Sequence, residues 1–323
     1  MPNLCRIVII FFFLALPVWQ TGCITVNLLE PPGPVRETQL SGTGDAKILL
    51  LDLSGVIGSL DKDGLIPQPN MLATFKEELT RASKDEKIKA VVVRVNSPGG
   101  TVTASDILHH ELKRFKTEKK IPIVVSMMDV AASGGYYLAM AGDALLVHPS
   151  TVTGSIGVIM LTVNARGLLE KVGVEANAIT SGPRKDMGSP FRLMTPEERA
   201  IFQGVIDSFY QRFLAVVQEG RPNLTADQIR KLADGRIYSG EQAKAAGLVD
   251  EIGYLDEAID LAKKKAGLTE ARVVTYQRPG EFQNNIYSRA IQGNSGGLAS
   301  LANLDLLSMV RGGTPQFMYL WMP

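Results

Sequence analysis

Serine and glycine recur together at three places where an apolar run ends. The first is Asn96-Ser97-Pro98-Gly99-Gly100, directly after AVVVRV. The second is Ala132-Ser133-Gly134-Gly135-Tyr136-Tyr137, a few residues after IVVSMM. The third is Thr153-Gly154-Ser155-Ile156-Gly157-Val158. Paired glycines let backbone N–H groups turn toward a bound oxyanion without a Cβ in the way. A single such pair at a strand end is more often just a tight turn. Three of them within about sixty residues weaken that plain reading.

Ser133 then has two readings. A serine ahead of a helix is by default its N-cap. It can also be a nucleophile whose Oγ faces a pocket, with the N–H of the next residue forming half of an oxyanion hole. A nucleophilic hydroxyl needs a base, and histidine is the usual one. The chain has three, His109, His110 and His148. His109 and His110 stand beside Glu111 in a helical stretch and read as surface residues; His148 precedes Pro149 and reads as a strand end. The other option is a lysine, whose ordinary pKa is about 10.4. Shielding from water lowers that value by several units. Lys185 is a candidate because it sits in the glycine-bracketed loop Ser181-Gly182-Pro183-Arg184-Lys185-Asp186-Met187-Gly188. Arg184 beside it would help depress that pKa only if both cations pointed inward. On residue types alone, Lys-Asp in a loop is usually a solvated pair.

The elements that must position these groups alternate. Lys47–Leu53, Ala90–Val95, Ile123–Met128 and Ala144–Val147 read as strands. Met71–Ser83, Ser105–Phe115 and Gly134–Ala141 read as helices. That alternation predicts an α/β fold. Further on, Thr195-Pro196-Glu197-Glu198 is a capping box that opens a helix to about Gln218. Ser239 opens a short helix that Gly247 can end. Leu255–Ala266 is a last helix and Arg272–Tyr276 a last strand.

NSPGG, AASGGYY, TGSIGVI and SGPRKDMGSP, in this order, resemble the signal peptide peptidase A family of bacterial serine proteases, in its single-length form. TPEER and LADGRIYSGEQAKAAGLVDEIG fit the same resemblance, which spans roughly Lys47 to Tyr276. It implies the spiral of ββα units shared by the Clp protease subunit and the crotonases. It also implies a serine endopeptidase with a Ser-Lys dyad. In that arrangement Ser133 is the nucleophile, Lys185 the general base, and Ser155 the hydroxyl that holds the Lys185 amine. The N–H groups of Gly134 and Gly100 form the oxyanion hole, with Gly99 in reserve if the loop registers differently. No metal and no organic cofactor is implied. Substrates would be hydrophobic peptides such as cleaved signal peptides, and the chain would form a homo-oligomer. The competing readings are a stomatin-associated membrane serine protease, a crotonase-like acyl-CoA enzyme and an inactive scaffold.

Composition narrows the alternatives. A net charge of +1 with scattered basic residues argues against a nucleic-acid partner. The two cysteines, Cys5 and Cys23, both lie near the N-terminus, so the body holds no disulfide and no cysteine nucleophile. Arg6 and the apolar run Ile7 to Trp19 suit a secretory signal, and the run is short for a spanning helix. Gln20-Thr21-Gly22-Cys23 resembles a lipoprotein site, with Gln20 where an apolar residue is usual. Lipidation of Cys23, an uncleaved anchor and an ordinary signal peptide all stay open. The expected division is therefore 1–23 signal, lipoprotein or anchor segment, 24–45 Pro/Gly linker, 46–280 protease domain and 281–323 C-terminal tail. The expected location is the bacterial cell membrane with the catalytic domain extracytoplasmic. The tail ends in Phe317-Met318-Tyr319-Leu320-Trp321, which would suit a neighbouring subunit's substrate groove or an apolar patch at an interface or membrane.

Overall fold

The computed structural model describes residues 33–58, 70–279, 284–288 and 316–322. The chain divides into two units, of which the smaller, Met1–Pro32 with Lys62–Gln68, lies outside the described residues. The expected signal or anchor segment, 1–23, lies there too. No helix among the described residues is long and apolar enough to cross a membrane.

The larger unit begins with β1 (Arg36–Gly42), β2 (Lys47–Ser54), α1 (Met71–Ser83), β3 (Ile88–Ser97) and β4 (Gly99–Thr101). Next come α2 (Val102–Lys119), β5 (Ile123–Ala132), α3 (Gly134–Ala139), β6 (Ala144–Val147), β7 (Val152–Gly154) and β8 (Ile159–Met160). Then follow α4 (Arg166–Lys171), α5 (Pro196–Gly220), α6 (Ala226–Leu232), β9 (Ile237–Ser239) and α7 (Gly240–Ala245). The last elements are β10 (Glu251–Ile252), α8 (Leu255–Lys265), β11 (Arg272–Gln277) and β12 (Phe317–Leu320).

The main sheet runs β1-β11-β2-β3-β5-β6-β10, parallel except for the antiparallel edge pair β1–β11. β5 is the pivot. Its first half pairs with β6 and its last three residues, Val130–Ala132, pair with β7, so the sheet turns away from β6 where Ser133 follows. Parallel strands covered on both faces must be apolar throughout, and Ala90 to Val95 are accordingly all buried, Arg94 included. Alternate residues feed two cores. Leu49, Val91, Val93 and Val125 pack with α1, α2 and α3, whereas Ile48, Leu50, Val92 and Val124 pack under α8. Each fully buried Val or Leu contributes roughly 1.5–3 kcal/mol. Arg94, on the second face, is tied to Asp52 at 2.7 Å, which lets a charge sit there.

Two strands fall in segments read as linker and as tail. β1 lies inside the stretch 24–45 read as linker, and pairs with β11. β12 lies inside the 281–323 tail. It runs antiparallel between β4 and β8 of its own chain.

Candidate active site

Ser133 stands between β5 and α3 and is 1% exposed. Its backbone has φ 51° and ψ −113°, and its side chain makes no cap hydrogen bond. The default reading of a serine at this position, an N-cap, is therefore not what it does. Positive φ is costly for a residue with a Cβ and marks a conformation held by its surroundings. Here the Ser133 N–H donates to the Gly154 carbonyl at 2.7 Å, and the Ser133 carbonyl accepts the Tyr137 N–H at 2.8 Å. The hydroxyl is left without a partner among the described residues.

Ser155, the residue after that Gly154 carbonyl, is buried and also has positive φ, 49°. Its N–H donates to the Arg236 carbonyl at 2.8 Å. Ser133 and Ser155 thus flank one hydrogen bond between adjacent strand ends.

The NSPGG turn closes on the same point. A Cβ on Gly99 would lie 2.6 Å from the Gly134 nitrogen, and one on Gly134 would lie 3.2 Å from the Gly100 nitrogen. The other face of the turn is just as tight, because a Cβ on Gly100 would meet the Ile57 carbonyl oxygen at 1.8 Å. Only glycine permits this approach. Gly99 O and Thr101 N–H bond Ile57, so the intervening Gly100 N–H and C=O face the other way, toward β12. Trp321 N–H donates to Pro98 O at 2.9 Å, and Tyr319 lies opposite Gly100. In an antiparallel ladder the hydrogen-bonded pairs alternate, so Tyr319 and Gly100 are also such a pair. The Tyr319 carbonyl therefore sits at the Gly100 N–H, 3.1 Å from where a Gly134 Cβ would be. The structure brings together Ser133, Ser155, Gly99, Gly100 and Gly134, with a peptide carbonyl among them.

Lys185 is not part of this cluster. It is exposed, and no hydrogen bond or ion pair joins its side chain to Ser133, Ser155 or any other described residue. The expected contact between Lys185 and the two serines is absent from the single chain. Its whole surroundings stand away from the core, for no residue from Leu161 to Glu197 is buried and α4 buries nothing. This lobe holds eight of the thirteen exposed large apolar side chains among the described residues, including Leu168, Val172 and the fully exposed Ile179. It is carried by α5, whose C-terminal half packs through Phe213, Leu214, Val216 and Val217 while its N-terminal half projects.

One fork fixes the lobe to that projecting end. Arg192 binds Asp186 through Nε at 2.6 Å and through a terminal nitrogen at 2.8 Å, and it also binds the Glu198 carboxylate. Glu198 closes the Thr195 capping box by accepting the Thr195 N–H at 2.9 Å. The Arg192 guanidinium holds the Glu198 carboxyl down to about 2 and lowers that of Asp186. Arg192 was not singled out from the sequence, although TPEER marked its partner. Arg184 faces outward to Glu197.

His148 pairs with Ser150 at 2.8 Å and packs its ring on Tyr254. His109 is buried, not a surface residue as its neighbours suggested, and lies edge-on to Tyr137. Burial, with Lys113 nearby, pushes its pKa down to about 4.

Comparison with known proteins gives the family. The family model of peptidase family S49 matches residues 115–269, and that of Clp protease matches residues 68–151. The latter covers α1 to β6, the parallel heart of the sheet. The chain is 40% identical to a signal peptide peptidase A of Enterococcus faecium, over 75% of this chain and 70% of that protein. It is 39% identical to a protease of Synechocystis, over 70% of this chain and 77% of that one. A solved membrane-bound stomatin-specific protease matches at 14% identity with a TM-score of 0.43, over 68% of this chain and 85% of the other. The crotonase-like alternative falls with these relatives, and the chain belongs to peptidase family S49, as a serine peptidase of α/β, ClpP-like fold.

Proposed function

We propose that the chain is a membrane-associated endopeptidase that degrades hydrophobic peptides, signal peptide remnants among them, with a Ser133–Lys185 dyad shared between two copies. The observation that carries the reading is the contrast at Ser133. A buried serine is held at positive φ beside two glycine N–H groups, its hydroxyl unbonded, while the lysine expected to serve it stands exposed on an apolar lobe. An exposed apolar patch of this extent suits a second copy of the chain, whose groove would receive Lys185.

In that arrangement the neutral Lys185 amine of one copy takes the Ser133 proton of the next, and Oγ attacks the substrate carbonyl. The oxyanion is met by Gly100 and Gly134 N–H. The protonated amine then gives its proton to the leaving nitrogen, forming an acyl-enzyme, and next deprotonates the water that releases it. Ser155 would hold the amine in line. Enclosure at the contact supplies the desolvation that a lysine base needs, so assembly and activity are one event. The segment 1–23 would keep the enzyme at the membrane, lipidated at Cys23 or as an anchor.

The test is turnover of a signal-peptide-like substrate by wild type, Ser133→Ala and Lys185→Ala across pH, followed by mixing the two variants. Each variant alone should be inactive, and the wild-type rate should rise toward alkaline pH. In randomly mixed assemblies about a quarter of the sites regain both groups. If the mixture stays inactive the dyad is not shared, and if Lys185→Ala remains active the base lies elsewhere.

A further inference from the structure

Ser133 stands where it does because β5 carries two residues more than its neighbour. In the parallel pairing of β3 with β5, Val95 lies opposite Met127 and Ser97 opposite Ala131. Two steps on β3 therefore match four on β5. Continued from Ser97 and Ala131, the register sets Ser133 level with Gly99, where Gly99, Gly100 and Gly134 crowd together. Continued from Val95 and Met127 without the bulge, it would set Ser133 level with Thr101. That is two residues, or roughly 6.6 Å, past the glycine turn. A bulge re-aims the residues that follow it, and here the residue re-aimed is Ser133.

Two side chains hold the bulge, one from each flank. On the β3 side Asn96 spans it. Its Nδ2 donates to Asp129 Oδ2 at 2.9 Å, and its Oδ1 accepts the Val130 N–H at 3.2 Å. A carboxamide offers the same donor and acceptor as a peptide group, so Asn96 replaces the rung that the looped residues do not make with β3. On the other flank is Thr151, 1% exposed, in the turn between β6 and β7. Its hydroxyl is shared between the carbonyls of Met127, at 3.0 Å, and Met128. Pairing with β6 reaches Met127 and pairing with β7 begins at Val130, so Met128 falls in the gap that Thr151 closes. Neither side chain is hydrogen-bonded to Ser133 or Ser155.

We infer that Asn96 and Thr151 are positioning residues for peptide hydrolysis: holding the β5 bulge between them, they set the register that brings Ser133 level with the oxyanion glycines. This rests on Ser133 being the nucleophile. The bulge is the weak point of that register, because two of its carbonyls and one of its N–H groups are met by side chains. A nucleophile misplaced by about 1 Å loses on the order of 10²-fold in rate. The substrate is bound by other groups, so the loss falls on kcat.

Two measurements test it. In the first, the full chain turns over a signal-peptide-like substrate, with Ser133→Ala as background. Thr151→Val keeps the shape and removes the hydroxyl; Thr151→Ser keeps the hydroxyl. Per folded molecule, Thr151→Val should lose about 10²-fold in kcat with KM little changed, and Thr151→Ser should recover most of it. Asn96→Ala should lose roughly tenfold, and the double variant less than the product of the two, since both act on one bulge. A lower melting temperature with unchanged kcat per folded molecule, in turnover that depends on Ser133, would overturn the inference and leave the nucleophile standing. Equal losses in Thr151→Val and Thr151→Ser would overturn the part given to the hydroxyl. The second measurement needs no catalysis. Amide hydrogen exchange at Ser133, whose N–H donates to the Gly154 carbonyl, should quicken by roughly tenfold in Thr151→Val and in Asn96→Ala while amides of β2 keep their rates. Unchanged exchange at Ser133 overturns the register role. Faster exchange together with turnover that ignores Ser133 places the failure in the nucleophile assignment alone.

Discussion

The two groups of the expected dyad live in opposite surroundings. Ser133 is enclosed by β5, β7 and the NSPGG turn, each neighbour fixed by backbone hydrogen bonds within the chain. Lys185 sits where nothing is buried from residue 161 to 197, on a lobe held chiefly through Arg192. A cleft built from strand ends can be finished by one chain, because strand pairing fixes it. A long side chain on an apolar surface lobe is finished only by what covers the lobe. The difference teaches that the fold of one chain gathers Ser133 and the glycine turns, whereas it leaves Lys185, the proposed base, on an exposed lobe.

The sharpest way to break that comparison is to spoil the lobe while sparing the fold. Leu168→Glu combined with Ile179→Glu changes two exposed side chains that belong to no buried cluster among the described residues. Its melting temperature as a monomer should hardly move. Turnover should fall by roughly 10²–10⁴-fold, the range of a lost general base, and sedimentation should show smaller particles. Unchanged activity would mean the lobe has no partner.

The matching test on the enclosed half is Gly134→Ala. The new Cβ would come within 2.4 Å of Ser105 Oγ and crowd the Gly100 nitrogen, so the donor pair must shift. A loss of about 10²–10³ in kcat is expected, with KM and oligomer size little altered. Loss of assembly in this variant, in place of kcat, would blur the division between the two halves.

Legibility in the sequence follows the same division. β2, β3, β5 and β6 were visible because two-sided burial leaves unbroken apolar runs, and the Thr195 and Ser239 capping boxes were visible because their chemistry is local. β1 was missed because RETQLSG is an edge strand whose partly exposed faces give no hydrophobic signal. β12 was visible as an apolar stretch, but its place beside Gly100 depends on pairing across more than two hundred residues. His109 was misread through its neighbours His110 and Glu111, yet Ser105, Leu108, His109 and Leu112 all lie on the buried face of α2 at helical spacing. The positive φ of Ser133, which sets it apart from an ordinary N-cap, leaves no mark on residue types.

His109 supplies a smaller test on the enclosed side. It lies among Asp106, Lys113, Arg212 and Glu219, and burial is the main reason its pKa drops to about 4. Between about 6.5 and about 4 the unfolded chain binds a proton that the folded chain refuses, so stability falls as pH falls through that window. The full loss is roughly 3 kcal/mol for a shift of this size. His109→Gln should flatten the dependence in urea melts between pH 7 and 4. An equal slope in wild type and variant would show that His109 is not the group refused.

Arg192 should give the smallest effect and the most specific one. It touches neither Ser133 nor any oxyanion donor; it positions, through Asp186, the loop that carries Lys185. Arg192→Ala should therefore lower kcat several-fold with little change in KM, in melting temperature or in the reactivity of Ser133 toward a small phosphonate. Arg192→Lys, which keeps the charge but not the two-sided fork, should restore only part of the rate. The ion pair with Glu198 is complete above the ordinary carboxylate range and is lost only as pH falls toward about 2, and Arg192 lowers the Asp186 carboxyl in the same direction. The wild-type rate between pH 5 and 9 should therefore follow the lysine and not this fork. If Arg192→Ala instead shifts that alkaline limb, the fork acts on the Lys185 amine itself, and the lobe is more than a carrier.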